Sequence, residues 1–385
     1  ATSVQGNIIR NISYRSSAAA PFSGIYTIAG AVNIGTTSGN FVGDSTGPGS
    51  LTLTSTTTEP VSYGIYLGST GILVASNNII GSVTTTNSTT ANSHSFYGIY
   101  KASQVGTVTI SGNTIGSNST ANSIQASSAA TGYSQLLFGI NSDGTGNVTI
   151  SGNTISNLTN LTTETTLYSK MYGIYTTAGT NLIQDNIVHD LTAGGSASSA
   201  NYENVTMVGI YQYSMTAAQK IIGNTVFNLA STTADAVEFY GILNWGSTNG
   251  NDTISRNFIY GFKMLSTSPV TYLHGLSFFN RAGTFTGTTT VTNNIVFLGD
   301  SITTGCFIFG IVKNSLKAMN FYHNTIHLGG TVGDGSETSS YAYRDKTDGT
   351  PAMRDIRNNI FYNTRSGGGS NYAVYFHVLG NIVID

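Results

Sequence analysis

Charged residues are scarce in this chain. Only 8% of its 385 residues are Asp, Glu, Lys or Arg, and the formal net charge is −2, whereas soluble domains usually carry roughly 25%. The sequence therefore lacks the basic surface that binds nucleic acid or an anionic membrane. It also lacks an apolar run long enough to form a membrane-spanning helix. We predict no nucleic-acid partner and no membrane insertion.

Cysteine and proline are also rare, with one and five copies. Cys306 lies in the apolar run CFIFGI, which predicts a small buried core residue, with an interchain disulfide as the alternative. No CxxC, HExxH, Walker or EF-hand motif occurs. Because these motifs mark the common metal and nucleotide sites, the sequence predicts no cofactor and no metal ligands.

The sequence has no convincing amphipathic helix. No stretch of ten or more residues shows the 3.6-residue apolar period,. Short segments such as residues 107–110 (TVTI) instead alternate β-branched apolar and small polar residues, which is typical of a sheet with one buried face. Helical arrays are thereby disfavoured, and a β-propeller is a weak alternative because a blade needs four strands. The fold class predicted is all-β.

One short phrase, apolar-x-x-Asn-x-apolar, repeats along the whole chain. Its anchors are Asn7, Asn78, Asn113, Asn153, Asn186, Asn224, Asn257, Asn294, Asn324, Asn359 and Asn381. Self-similarity of this kind indicates a solenoid, in which each repeat stacks on its neighbours. Asn tolerates left-handed backbone angles in a turn, and its amide can bond the Asn of the adjacent coil. We therefore predict a structural ladder of these side chains.

A second phrase alternates with the first and contains glycine, as in SGIY at Gly24 and YGIY at Gly64 and Gly98. Glycine recurs at the same position of successive repeats. This recurrence indicates a position where a Cβ would obstruct neighbouring backbone. We expect a long loop to fold back at that point. Each repeat then reads as strand, connection, strand, turn at Asn, strand and a long loop rich in Ser, Thr and Asn.

Together the two phrases predict a single right-handed parallel β-helix of about eleven coils, continuous over residues 1–385,. Long loops are expected on one side of the rod, and neither end shows an evident cap. The phrases GIY and VTISGNTIS resemble the repeat of pectin-lyase-like proteins and of secreted or surface β-helix proteins of bacteria. That resemblance covers almost the whole chain and implies the fold. It does not select a function, because the superfamily includes lyases, hydrolases, adhesins and structural proteins.

The resemblance makes a polysaccharide lyase or glycoside hydrolase an obvious hypothesis. Hydrolysis needs two carboxylates across the scissile bond, and elimination needs a base with a cation site. The 17 acidic residues are scattered, so we predict no catalytic residues and no enzyme. One exception is a cluster that could be an active groove, a partner contact or a solvated loop: Arg344, Asp345, Asp348, Arg354, Asp355 and Arg357.

Tyrosines follow the buried Ile of several glycine phrases and should face outward by strand alternation. They are Tyr66, Tyr100, Tyr175 and Tyr211. Such a column could stack on sugars, contact a neighbouring subunit or lie under the long loops.

The repeat reaches both ends of the sequence, with Val4, Asn7 and Ile9 at one end and Val378, Asn381 and Val383 at the other. We predict that these residues form a subunit interface, which joins identical copies head to tail in a filament. The composition and the absence of an initial Met or leader indicate an extracellular or cell-surface protein whose signal peptide has been removed. The alternatives are a segment of a larger glycan-binding adhesin and a polysaccharide-active enzyme.

Overall fold

A computed structural model describes residues 1–17, 20–56, 59–102, 106–130, 133–162, 170–196, 205–216, 218–280, 284–347 and 352–385. Over these ranges the chain forms three parallel sheets, A, B and C, which wind into a right-handed β-solenoid of about 10 turns. The described residues contain no helix, and hence none that could cross a membrane. The predicted parallel β-helix is therefore confirmed.

Most coils contribute one strand to each sheet, and the first coils contribute a second strand to sheet B. Sheet A consists of β1 (Thr2–Val4), β5 (Val32–Ile34), β9 (Leu73–Ser76), β13 (Thr107–Ser111), β17 (Asn147–Ser151), β20 (Thr180–Gln184), β23 (Lys220–Ile222), β26 (Asp252–Ser255), β29 (Thr288–Thr292), β32 (Ala318–Tyr322), β35 (Arg354–Arg357) and β38 (Ile382–Ile384).

Sheet B follows the Asn turn. It consists of β2 (Ile8–Ile9), β6 (Phe41–Gly43), β10 (Ile79–Gly81), β14 (Thr114–Gly116), β18 (Thr154–Asn160), β21 (Ile187–Ala193), β24 (Thr225–Ser231), β27 (Phe258–Tyr260), β30 (Ile295–Leu298), β33 (Thr325–Leu328) and β36 (Ile360–Asn363), with β3 (Ile12–Ser16), β7 (Leu51–Ser55), β11 (Val83–Asn87) and β15 (Ile124–Ala126) extending it in the first coils.

Sheet C carries the glycine phrases. It consists of β4 (Ser23–Thr27), β8 (Val61–Leu67), β12 (Ser95–Lys101), β16 (Leu136–Ser142), β19 (Lys170–Thr176), β22 (Met207–Gln212), β25 (Glu238–Asn244), β28 (Tyr272–Asn280), β31 (Phe307–Ser315), β34 (Ser340–Asp345) and β37 (Asn371–Phe376). The long connections predicted on one side run from sheet B to sheet C, as residues 299–306 and 329–339 do.

Identical positions of the repeat stack on one another inside the rod. Ile110 of β13 pairs with Ile150 of β17, and both side chains are fully buried. Burying an aliphatic side chain of this size contributes about 1.5–3 kcal/mol relative to leaving it exposed. Cys306 also lies in this core, as predicted, and burial raises the pKa of its thiol to about 12.

An Asn ladder runs along the turn between sheets A and B. The Oδ1 atom of each member accepts a hydrogen bond from Nδ2 of the member before it, at 2.8–3.0 Å. Its members are Asn7, Asn40, Asn78, Asn113, Asn153, Asn186, Asn224, Asn257, Asn294, Asn324 and Asn359. The residue before each ladder position except Asn40 is left-handed, for example Asn77 with φ 58° and Gly112 with φ 62°.

The ladder differs from the predicted set at two positions. Asn40 belongs to it although no apolar residue stands three places before it, because β5 ends at Ile34 and a longer turn follows. Asn381 does not belong to it. Ile356, which stands three residues before the ladder member Asn359, pairs with Ile384, so Asn381 lies ahead of β38 and not in the turn behind it.

The glycine column of sheet C is required by close packing between coils. A Cβ at Gly139 would lie 2.5 Å from the carbonyl oxygen of Gly173 in the next coil and 2.5 Å from Cγ2 of Ile155 in sheet B. The predicted need for a residue without a Cβ is therefore explained, but the predicted cause of that need is wrong. The obstruction comes from the neighbouring strand and from the core, and not from a long loop.

Candidate functional site

In the later coils, the outer face of sheet C carries three columns of side chains next to the glycine column. Phe239 and Leu273 point into the core, so their neighbours on the same strands point outward. The outward columns are Glu238, Tyr272 and Phe307; then Tyr240, His274, Phe309 and Tyr341; then Leu243, Ser277, Val312 and Arg344. Strand register alone thus brings Glu238, His274 and Arg344, from three different coils, to one region of this face.

These columns enclose a cavity of about 50 Å³. Its lining is Glu238, Tyr272, His274, Phe279, Phe309, Val312, Arg344 and Lys346, and we call it the sheet C pocket. A bound water needs roughly 10–15 Å³ of such space. The pocket therefore has room for a few waters or for one small polar group of a ligand.

The floor of the pocket is polar and buried. Glu238 is 3% exposed and His274 is 5% exposed, and His274 Nε2 lies 3.7 Å from Glu238 Oε1, which is too long for a hydrogen bond,. The Tyr240 hydroxyl donates a hydrogen bond to Glu238 Oε1. Glu238 Oε2 and both ring nitrogens of His274 have no hydrogen-bond partner within the described part of the chain. Buried polar atoms are nearly always paired, so unpaired ones at a cavity indicate a place for a ligand or for water.

Burial shifts the protonation of both groups toward their neutral forms. Desolvation raises the pKa of Glu238 to about 7, although the Tyr240 hydrogen bond and the charge of Lys346 act in the opposite direction. Desolvation lowers the pKa of His274 well below its usual value, and the charges of Lys346 and Arg344 lower it further. At neutral pH the floor thus holds an uncharged imidazole and a carboxyl group that is partly neutral.

Two cations complete the pocket. The Arg344 guanidinium lies over the ring of Tyr341, with Cζ 4.5 Å from the ring centroid, and its Nε has no hydrogen-bond partner among the described residues. Lys346 is exposed at the edge of the pocket. A guanidinium held over an aromatic ring beside a partly neutral floor is suited to binding an anion, above all one with two oxygens in a plane.

The arrangement supports proton exchange and anion binding more than it supports hydrolysis. Glu238 is the only carboxylate among the described residues that line the pocket, whereas glycoside hydrolysis ordinarily uses two. Throughout the described ranges, no three His, Cys, Asp or Glu side chains are arranged to hold a metal ion.

The predicted tyrosine column lies on the same face and closes between Tyr175 and Tyr211. Tyr66, Tyr100 and Tyr175 are partly exposed, whereas Tyr211 is 6% exposed and its successor Leu243 is buried. The exposed Tyr26 ring stacks on Tyr66 at 4.5 Å. Because the rings stack on one another along the rod, each ring face is largely covered by a neighbouring ring.

Tyr100 also has a polar partner. Its hydroxyl donates a hydrogen bond to Asp143 Oδ2 at 2.9 Å, and Thr177 donates one to Asp143 Oδ1 at 3.0 Å. Tyr175 lies further along and stacks on Tyr172 at 5.1 Å. We call the partly exposed rings of Tyr26, Tyr63, Tyr66, Tyr97 and Tyr100 the tyrosine patch.

The structure does not bring the predicted charge cluster together. Arg344 faces outward into the sheet C pocket, whereas Asp345 and Arg354 are buried and form an ion pair at 2.7 Å. The buried Lys313 lies 3.9 Å from Asp345, and burial lowers its pKa to about 8. These charges join the ends of sheet C strands to sheet A from within, where no substrate can reach them.

The rest of the cluster lies elsewhere. Arg357 and Asp355 form an ion pair at 2.6 Å on β35, and Tyr322 donates a hydrogen bond to Asp355. These hydrogen bonds lower the pKa of Asp355. Asp348 lies outside the described residues. Of the five predicted residues that the structure describes, only Arg344 lines the pocket.

The predicted interface residues lie in the first and last coils. Val4 belongs to β1 and Ile9 to β2, with Asn7 at the turn between them. Val383 belongs to β38, and Val378 and Asn381 lie between β37 and β38. Val4 and Ile9 are partly buried against the core, and Val383 is 36% exposed.

Glu238 and His274 are the site residues that sequence reasoning missed. The acidic residues and histidines are scattered when they are counted from the Asn phrase. Counted from the glycine phrase, Glu238 stands three residues before Gly241 and His274 one residue before Gly275. These positions become neighbours because the glycines pair in register, whereas the spacing from glycine to Asn varies between coils. The glycine phrase was the signal that could have found them.

No model of a known protein family matches this chain, and no curated protein matches it. The parallel β-solenoid thus stands on the structure itself, and membership of the pectin-lyase-like superfamily is not shown.

Proposed function

We propose that this protein is a secreted, pectin-lyase-like β-helix protein that binds an acidic polysaccharide, with an anionic group of the chain held in the sheet C pocket. The observation that carries this proposal is the buried pair Glu238 and His274 beneath the cation Arg344: Glu238 Oε2 and both ring nitrogens of His274 have no hydrogen-bond partner among the described residues. A small anionic oxygen group would supply acceptors for Arg344 and Lys346.

The outer face of sheet C around the pocket favours a polymeric ligand over a small free anion. The pocket accommodates only one small group, so the remainder of a ligand would lie along the outside of sheet C. The tyrosine patch lies on the same face toward the other end of the rod, where its partly exposed rings offer a surface against which sugar rings could pack,. We propose binding without turnover, because the pocket supplies only one carboxylate among its described residues.

The proposal is tested by titrating the protein calorimetrically at pH 6 with three oligosaccharides of equal length: one carrying carboxylates, one carrying sulfates and one neutral. We expect an acidic oligosaccharide to bind and the neutral one to bind at least tenfold more weakly. Arg344→Gln should weaken binding about ten- to a hundredfold, because a charge-assisted hydrogen bond contributes about 1.5–3 kcal/mol. Lys346→Gln should weaken it only a few-fold, since Lys346 is exposed,.

Lys220→Gln is the matched control. Lys220 is an exposed lysine of β23 on sheet A, away from the pocket, so its neutralisation should leave affinity unchanged. Equal binding of neutral and acidic oligosaccharides, or equal losses for Arg344→Gln and Lys220→Gln, would rule out the pocket as the anion site.

Head-to-tail assembly into a surface filament is a second proposal. The observation in its favour is apolar exposure in the terminal coils, where Ile8 is 61% exposed and Ile384 is 58% exposed. A further stretch of the same chain would cover these side chains as well as a second copy would. For that reason the polysaccharide site, none of whose described residues lies in the first or last coil, is the better-supported function.

A further inference from the structure

We infer that the sheet C pocket takes up its anionic group together with one proton, which Glu238 then holds against the ligand. This inference rests on the proposed function and adds a pH dependence to the same site. It follows from which oxygen of Glu238 is already hydrogen-bonded and which is left without a partner in the described part of this pocket-lining residue's surroundings.

The two oxygens of Glu238 have different surroundings. Oε1 accepts the Tyr240 hydroxyl, while Oε2 is buried and unpartnered within the described part of the chain. A carboxylate oxygen accepts hydrogen bonds but cannot donate them, and the same is true of an ionised ligand group. Two acceptors facing each other in a cavity of about 50 Å³ would repel. A proton on Oε2 turns that contact into a hydrogen bond, as happens where two carboxylates share one site.

The other described groups facing Glu238 cannot supply this proton as readily. On its own strand, the Tyr240 hydroxyl is already donated to Oε1. On β28, burial raises the pKa of Tyr272, and His274 is neutral at neutral pH because burial and two nearby cations lower its pKa. The groups of β31 at the pocket, Phe309 and Val312, do not titrate. Arg344 and Lys346 contribute positive charge from β34 and the residues after it.

Geometry and charge thus single out Glu238 as the group that changes protonation. Its pKa of about 7 in the free protein means that below pH 6 the proton is already present, so binding takes up almost none. At pH 8 the free carboxyl is mostly ionised, so binding takes up most of one proton. Above pH 7 the Kd for the anion should therefore rise by up to tenfold per pH unit.

The experiment measures proton uptake directly on the intact protein. An oligosaccharide carrying carboxylates, and in parallel one carrying sulfates, is titrated calorimetrically at pH 8 in two buffers with different ionisation enthalpies. The difference in observed heat gives the number of protons taken up, and we expect most of one proton per bound anion. The same titration at pH 5.5 should give nearly zero.

Glu238→Gln provides the matched variant, because a glutamine amide imitates the protonated carboxyl as a donor without titrating. Its affinity should equal that of the unaltered protein at pH 5.5 and stay constant up to pH 9, with no proton uptake. Anion binding without proton uptake at pH 8 in the unaltered protein overturns the inference and leaves the proposed function standing. Absence of anion binding at every pH overturns the proposed function itself. The buffer comparison decides the question even if Glu238→Gln does not fold.

Discussion

Residues of the Asn ladder show how far single positions can be read from sequence. The repeated phrase identifies ten members because three-residue spacing from an apolar residue holds in most coils. It fails at Asn40, where the turn after β5 is longer, and at Asn381, where similar letters occur ahead of a strand. Hydrogen-bond register, and not the letters themselves, decides membership. Glu238 and His274 escape the sequence for a related reason, since only pairing between coils makes them neighbours.

Asn153 is predicted to be one of the most sensitive single residues. Its amide donates to Ile110 O and Asn186 Oδ1 at 2.9 Å, and its Oδ1 accepts from Asn113 at 2.9 Å. Asn153→Ala leaves several buried groups unpaired, so we expect a loss of about 3–6 kcal/mol in the free energy of unfolding. Urea unfolding followed by circular dichroism measures it.

The control for Asn153 lies in the same coil. Asn147 is exposed at the start of β17, and Asn147→Ala should change stability by less than about 0.5 kcal/mol. Similar losses for the two variants would mean that the ladder contributes little to holding adjacent coils together.

At the scale of elements, sheet C is constrained from both sides. The glycine phrase predicts a position with no room for a Cβ, and the structure shows why: each glycine contacts the carbonyl of the next and a side chain of sheet B. The same close register aligns the outward columns that form the pocket. The sequence does not predict which part of that face stays exposed to solvent, because the exposure depends on the path of the long connections. Tyr66 and Tyr211 occupy equivalent positions and differ in exposure.

Gly139→Ala tests this constraint. The added Cβ would lie 2.5 Å from Gly173 O, so β16 and β19 must separate locally, and overpacking of this kind costs about 1–3 kcal/mol. Gly333→Ala is the control, because the nearest atom to its added Cβ is Thr303 O at 3.9 Å. Thermal unfolding should show a lower midpoint for Gly139→Ala and little change for Gly333→Ala; equal midpoints would contradict the packing explanation.

At the scale of the whole molecule, each coil contacts mainly the coils before and after it. Stability is then close to a sum of coil and interface contributions, and a coil end is itself a surface that another coil can cover. With few charges there is little electrostatic repulsion to keep copies apart,. The repeat thus explains why the rod is continuous, and an uncovered coil edge is where the proposed self-association would take place.

Head-to-tail assembly predicts that association depends on the apolar side chains of the end coils. Ile384 is 58% exposed on β38, and Leu265 is 64% exposed on a connection in the later part of the rod. If copies stack end to end, the protein should form rods that lengthen with concentration, as seen by negative-stain electron microscopy. Ile384→Ser should shorten them, because a polar hydroxyl replaces apolar area buried at each junction. Leu265→Ser removes a similar exposed area and should leave rod length unchanged. Rods of one fixed length at every concentration would exclude the filament, and equal shortening by both variants would place the contact along the side of the rod.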